Sequence, residues 1–193
     1  MAPKDGIFHD PKKRRSYLLA VGATIALLGL IVIYALEFRY FNLLLSPGAL
    51  VLRSLIAGLL PGIMAGIAVS RRVSGQLERV QIIIFIAVLT CIFMPLFTSL
   101  ANRWLAYQPL RFESVELERE EPFFADRFGL IEGEQPEPTG YFLFFYRHGR
   151  LHRIRYDQAL FTGRARGEYI TLPLQRGFLG FDLAVPAAGG RSG

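Results

Sequence analysis

The chain has 193 residues, 52% of them apolar, with a formal net charge of +6. Over half apolar is unusual for a small soluble domain and expected where a membrane part is joined to a polar part. The charge is not a nucleic-acid signature: residues 1–100 carry ten Lys/Arg against four Asp/Glu, and residues 101–193 carry twelve of each, so the excess lies beside the apolar runs and reports topology.

Residues 1–16 form a basic segment in which Lys4, Lys12, Lys13, Arg14 and Arg15 outweigh Asp5 and Asp10. An apolar run over 17–36 follows, and runs over 49–69 and 80–100 come after it. About twenty helical residues at roughly 1.5 Å each reach about 30 Å, the thickness of a bilayer's hydrocarbon core. The pattern therefore predicts a three-helix transmembrane domain over 17–100. The first run passes into Phe38-Arg39-Tyr40-Phe41 without a small-residue cleavage site, which reads as an uncleaved signal anchor rather than a signal peptide.

The connection at 37–48 holds only Glu37 and Arg39 as charges, whereas the connection between the second and third runs holds Arg71, Arg72 and Arg79. Basic residues stay on the cytoplasmic side. This predicts a cytoplasmic N-terminus and an extracytoplasmic C-terminal region, periplasmic if the membrane is a bacterial inner membrane.

In the first run Gly22, Ala23, Ala26 and Gly29 give a modest small-residue signal. In the second, Gly58, Gly62 and Gly66 recur every fourth residue and make two overlapping Gly-xxx-Gly steps. Small residues let helix backbones approach closely, so these three are expected at a helix-packing face, within the chain or against a partner subunit. Pro61 is a possible kink. Arg53, the one formal charge in the three runs, is expected to reach the headgroups. No Asp or Glu accompanies it there, which weighs against proton-driven transport. The third run contains Cys91, the only cysteine, and Pro95; a single cysteine forms no internal disulfide and reads as a space-filling side chain. Trp104 and Tyr107, in the linker at 101–109, suit the lipid interface.

From residue 110 the pattern changes to short apolar runs divided by Gly, Pro and charge, which predicts a small antiparallel β-rich domain over 110–185. Strands are expected at 111–119, 141–147, 150–157, 168–174 and 177–185. His148-Gly149 marks a tight hairpin turn, after which Leu151, Arg153 and Arg155 alternate with His152, Ile154 and Tyr156. Turns are also expected at 163–167 and 175–177, and a frayed tail at 186–193. The overall fold class is thus α+β, three transmembrane helices followed by the β-rich domain.

Glu113, Glu116, Glu118, Glu120 and Glu121 precede Arg147, Arg150, Arg153, Arg155, Arg164 and Arg166. The acidic stretch can neutralise some of these arginines across a sheet. Arg153, Arg155, Arg164 and Arg166 are the expected contacts to a partner protein or an anion. No catalytic, cofactor or metal signature is present: His148 and His152 flank a turn, His9 lies before the first run, and Glu113, Glu116 and Asp126 give no defined carboxylate pair. The leading expectation is a non-catalytic membrane accessory or structural subunit, contacting lipids and a membrane partner or further copies of itself, without cofactor or nucleic acid. The alternatives are an envelope sensor binding an anionic ligand and, third, a small-solute channel or transporter component.

Overall fold

The computed structural model describes residues 11–124 and 138–185, with side chains from residue 14 onward. Most of the basic N-terminal segment, Asp126 and the tail at 186–193 lie outside the described residues. Helix α1 is Pro11–Phe41, α2 is Pro47–Ser70 and α3 is Gln76–Trp104, and five strands follow: β1 Arg111–Phe123, β2 Gly140–Arg147, β3 Arg150–Tyr156, β4 Tyr169–Arg176 and β5 Asp182–Ala184. All three helices are long and apolar enough to cross a membrane. Each extends beyond the predicted run at both ends. The chain divides into two compact units at Phe38/Arg39.

The first unit is the helical stretch up to Phe38. Its apolar side chains are distributed around the whole helix rather than along one stripe, as in a span whose surroundings are apolar on every side. Thr24 satisfies its hydroxyl on the Ala20 carbonyl at 3.0 Å, and Tyr34 stacks on Phe38 with ring centroids 5.4 Å apart.

In the second unit, α2 and α3 form an antiparallel hairpin. The buried positions of α2 are Leu50, Ser54, Gly58, Gly62, Gly66 and Ser70, a strict every-fourth-residue row. A Cβ on Gly62 would stand 2.8 Å from the Ala87 Cα, and one on Gly66 2.7 Å from the Ile83 Cα. At Gly58 the same atom would meet the Met94 Cβ at 2.9 Å. The two backbones thus approach as closely as glycine permits. The helix continues through Pro61, and α3 continues through Pro95.

The five strands form one antiparallel sheet in the order β3-β2-β1-β4-β5. The β2–β3 turn is built as predicted: His148 has φ 49° and Gly149 φ 72°, the left-handed pair that a two-residue hairpin requires. Strand β1 runs four residues past its predicted end, with a bulge between Leu117 and Arg119. The expected strand at 177–185 is only three residues long, because Gly177–Phe181 makes a turn in which Gly180 has φ 83°.

The connection between α1 and α2 completes this sheet. Leu44 bridges Leu183 on β5, with Leu45 N–H donating to the Asp182 carbonyl at 3.1 Å and Ala184 N–H to the Leu43 carbonyl at 2.9 Å. On the opposite edge, Arg155 N–H of β3 donates to the Asn42 carbonyl at 3.1 Å, and the His152 Nδ1–H donates to the Leu45 carbonyl at 2.9 Å. Residues 42–45 therefore bond to both outer strands and close the sheet on itself. Leu43 and Leu45 enter one core with Val115, Leu117, Leu143, Phe145, Ile154, Ile170 and Leu172. The β domain is thus not confined to 110–185; part of its core comes from between the first two helices.

Candidate functional site: an arginine-on-phenylalanine sheet face

Alternation along β2 and β3 sends Leu143, Phe145, Ile154 and Tyr156 inward. Outward go Phe142, Phe144, Arg153 and Arg155, and the two-residue turn sets their register: Phe142 opposes Arg155 and Phe144 opposes Arg153. The bulge in β1 brings Arg119 opposite Phe144 and Phe123 opposite Gly140.

Each of three guanidiniums lies over a ring. Arg119 is 4.7 Å from the Phe144 centroid, Arg153 4.8 Å from Phe142 and Arg155 4.2 Å from Phe123. These are cation–π distances. Phe123 and Phe142 meet edge to face at 5.0 Å. Gly140 makes room for this packing, since a Cβ there would lie 3.0 Å from the Arg155 Nε and 2.8 Å from the Tyr156 carbonyl oxygen.

The four arginines expected as contacts fall into two groups. Arg166 pairs with Glu118 at 2.8 Å, and Arg164 pairs with Glu168; both lie in or beside the loop before β4 and are neutralised. Arg119 is likewise paired, with Glu121 at 2.9 Å. Arg153 and Arg155, by contrast, have no ion pair among the described residues; Arg155 donates only to the Thr139 carbonyl, at 3.4 Å. Two guanidiniums without an ion pair among the described residues thus lie on a platform of half-exposed phenyl rings.

A second polar cluster closes one end of the sheet. Arg147 donates through Nε and Nη2 to the two Glu113 oxygens, both at 2.8 Å, and through Nη1 to Asp182 at 2.7 Å. The hydrogen bonds from Arg147 hold the Glu113 carboxyl below its ordinary value, and Glu113 in turn raises Arg147. Beside it lies a cleft of about 550 Å³ lined in part by Glu116, Tyr146, His148 and Tyr169. The arginine in its lining, Arg147, is already committed to two carboxylates. Among the described residues no group of three His, Cys, Asp or Glu is placed to hold a metal ion.

Gly58, Gly62 and Gly66 all face α3 of the same chain. Of the two packings open to them, that face is filled from within and is not available to a partner helix. Cys91 sits in the same seam, its thiol donating to the Leu55 carbonyl at 3.5 Å. Arg53 reaches the Phe181 ring at 5.5 Å, so it has a protein contact as well as a position near the end of α2. Trp104 and Tyr107 are exposed; Arg103, which had no expected role, lies 3.6 Å from the Tyr40 ring centroid.

Sequence reading missed the ring half of the platform. The signal was available: once His148-Gly149 is taken as a two-residue turn, counting back pairs Phe142 with Arg155 and Phe144 with Arg153. In comparisons with protein-family models, with curated proteins and with solved structures, nothing matches this chain.

Proposed function

We propose that the chain is a non-catalytic integral membrane accessory subunit that uses the Arg153/Arg155 face of its sheet to bind an acidic surface of a partner protein. The observation that carries this reading is the pair of guanidiniums, without an ion pair among the described residues, held on Phe142 and Phe123. Arginine and aromatic side chains are the residue types that dominate interface energetics. Stacking fixes each guanidinium before binding, so less conformational freedom is lost on contact.

Topology supports the same reading. With three helices as spans, the α1–α2 connection and the sheet are on one side, and their hydrogen bonds to each other fit that arrangement. Arg71, Arg72 and Arg79 lie in or beside the α2–α3 connection. By the positive-inside rule that connection is cytoplasmic and the sheet domain extracytoplasmic, or periplasmic in a bacterial inner membrane. An envelope sensor for a small anion would use the same two arginines, but their platform is an open sheet face, which favours a broad partner over an enclosed ligand.

The test is purification from the native membrane in mild detergent, with mass determination of every stoichiometric companion, for the wild type and for the double variant Arg153→Glu, Arg155→Glu. The expected result is a companion in the wild type and its loss, by tenfold or more, in the variant. Retention of the companion by a folded variant would refute this face as the contact. A wild type without companions would refute the accessory role.

A further inference from the structure

We infer that the β4–β5 turn, with Phe178 and Leu179 at its tip, is a lipid-contacting element that seats the sheet domain on the bilayer surface. This rests on the reading of α3 as a membrane span and goes beyond the interface positions expected at Trp104 and Tyr107.

The turn is tied to the last turn of α3 by a single side chain and its own backbone. Phe178 N–H donates to the Asn102 carbonyl at 2.9 Å, Leu179 N–H donates to Asn102 Oδ1 at 3.0 Å, and Asn102 Nδ2 donates to the Phe181 carbonyl at 3.1 Å. Asn102 is 1% exposed, and both ends of its amide are used. Gly177 allows the approach: a Cβ there would overlap the Asn102 side-chain amide. The turn's depth is therefore set by the helix.

Asn102 precedes Trp104 by two residues, about 3 Å of helical rise. Trp104 stands exposed at the end of α3, where aromatic side chains meet the headgroup region. At that same level the turn points two large apolar side chains outward, Phe178 at 52% and Leu179 at 43% exposed, while its third, Phe181, is tucked in at 9% beneath Arg53. Water offers no gain to Phe178 and Leu179, whereas the headgroup–acyl boundary removes their apolar surface from water. Continuity with the end of the spanning helix, rather than the apolar tip alone, identifies lipid as the occupant.

The full chain reconstituted in phosphatidylcholine/phosphatidylglycerol vesicles tests this, because Trp104 is the only tryptophan. In a Trp104→Phe background, Phe178→Trp and, separately, Leu179→Trp report the turn, and Phe85→Trp reports the span. Lipids brominated near the headgroup should remove most of the emission from positions 178 and 179, and aqueous iodide should remove little. Quenching by iodide with none by bromolipid, at both turn positions while Phe85→Trp responds to deeply brominated lipid, overturns the inference and leaves the span intact. A Phe85→Trp reporter unresponsive to bromolipid at any depth overturns the membrane reading itself, and the inference with it.

Discussion

The α2–α3 seam and the inner face of the sheet bury themselves in opposite ways. In the seam the buried row of α2 is small at every position but Leu50, namely Ser54, Gly58, Gly62, Gly66 and Ser70, while Leu52, Ile56, Leu59, Leu60 and Met64 point outward. In the sheet Leu143, Phe145, Ile154 and Leu172 are inside and the arginines outside. Water drives large apolar groups inward. Lipid gives no such drive, and helices associate there through close backbone packing. A single chain that changes packing rule between its helices and its sheet fits the proposal that the two parts meet different solvents.

Substitutions that follow one rule in the other's territory should therefore be the most damaging. Phe145→Ala, at a fully buried position of the sheet, is expected to cost about 3–5 kcal/mol, read as a lowered denaturation midpoint of the β domain in detergent. Gly62→Leu reverses the change, small to large, and should cost about 1–3 kcal/mol or more because the added side chain meets the Ala87 backbone. Loss of a disulfide engineered across the α2–α3 seam would report it. Leu60→Ala, two residues away but facing outward at 67% exposure, should change stability by less than about 0.5 kcal/mol. If Leu60→Ala and Gly62→Leu had equal effects, the contrast between the two regions would fail.

A finer probe lies within the sheet core. Tyr156 is buried, its hydroxyl has no hydrogen-bond partner among the described residues, and burial pushes its pKa up to about 12. A pKa raised by folding contributes stability that is complete below the unfolded value near 10 and is lost as pH rises through about 12. Tyr156→Phe should be neutral or slightly stabilising, within about 1 kcal/mol. It should also remove that share of the alkaline loss; an unchanged alkaline limb would show that the hydroxyl does not titrate in the core. On the acid side the sign is reversed. Glu113, held below its ordinary value by Arg147, supports the fold above that value and ceases to do so as pH falls through its folded pKa.

Much of this architecture was legible because it is local. Every-fourth glycines, a His-Gly turn and the alternation of Arg153 and Arg155 with Ile154 and Tyr156 depend on neighbours within a few residues, and each occurs where periodicity put it. The role of Leu43-Leu44-Leu45 was not legible. Three consecutive leucines in a loop show no period, and their partners at His152, Asp182 and Ala184 lie over a hundred positions later. The turn at 177–181 was read as strand because Phe178, Leu179 and Phe181 look like one; Asn102, far upstream, takes the amides that a strand would have paired. Which arginines are neutralised was equally hidden, since Glu118 and Arg166 meet only across the folded sheet.

The closure of the sheet by residues 42–45 has a bearing on how the chain is made. Those residues are synthesised before either α2 or α3, and the strands that need them come after both. In a membrane the two parts share a compartment only when the chain has crossed an even number of times between them. If one helix of the hairpin failed to insert, the leucines would be stranded on the wrong side and the β domain would remain open, with an unfilled core and two unpaired edges. With the three helices as spans, completion of the domain is thus a parity check on insertion.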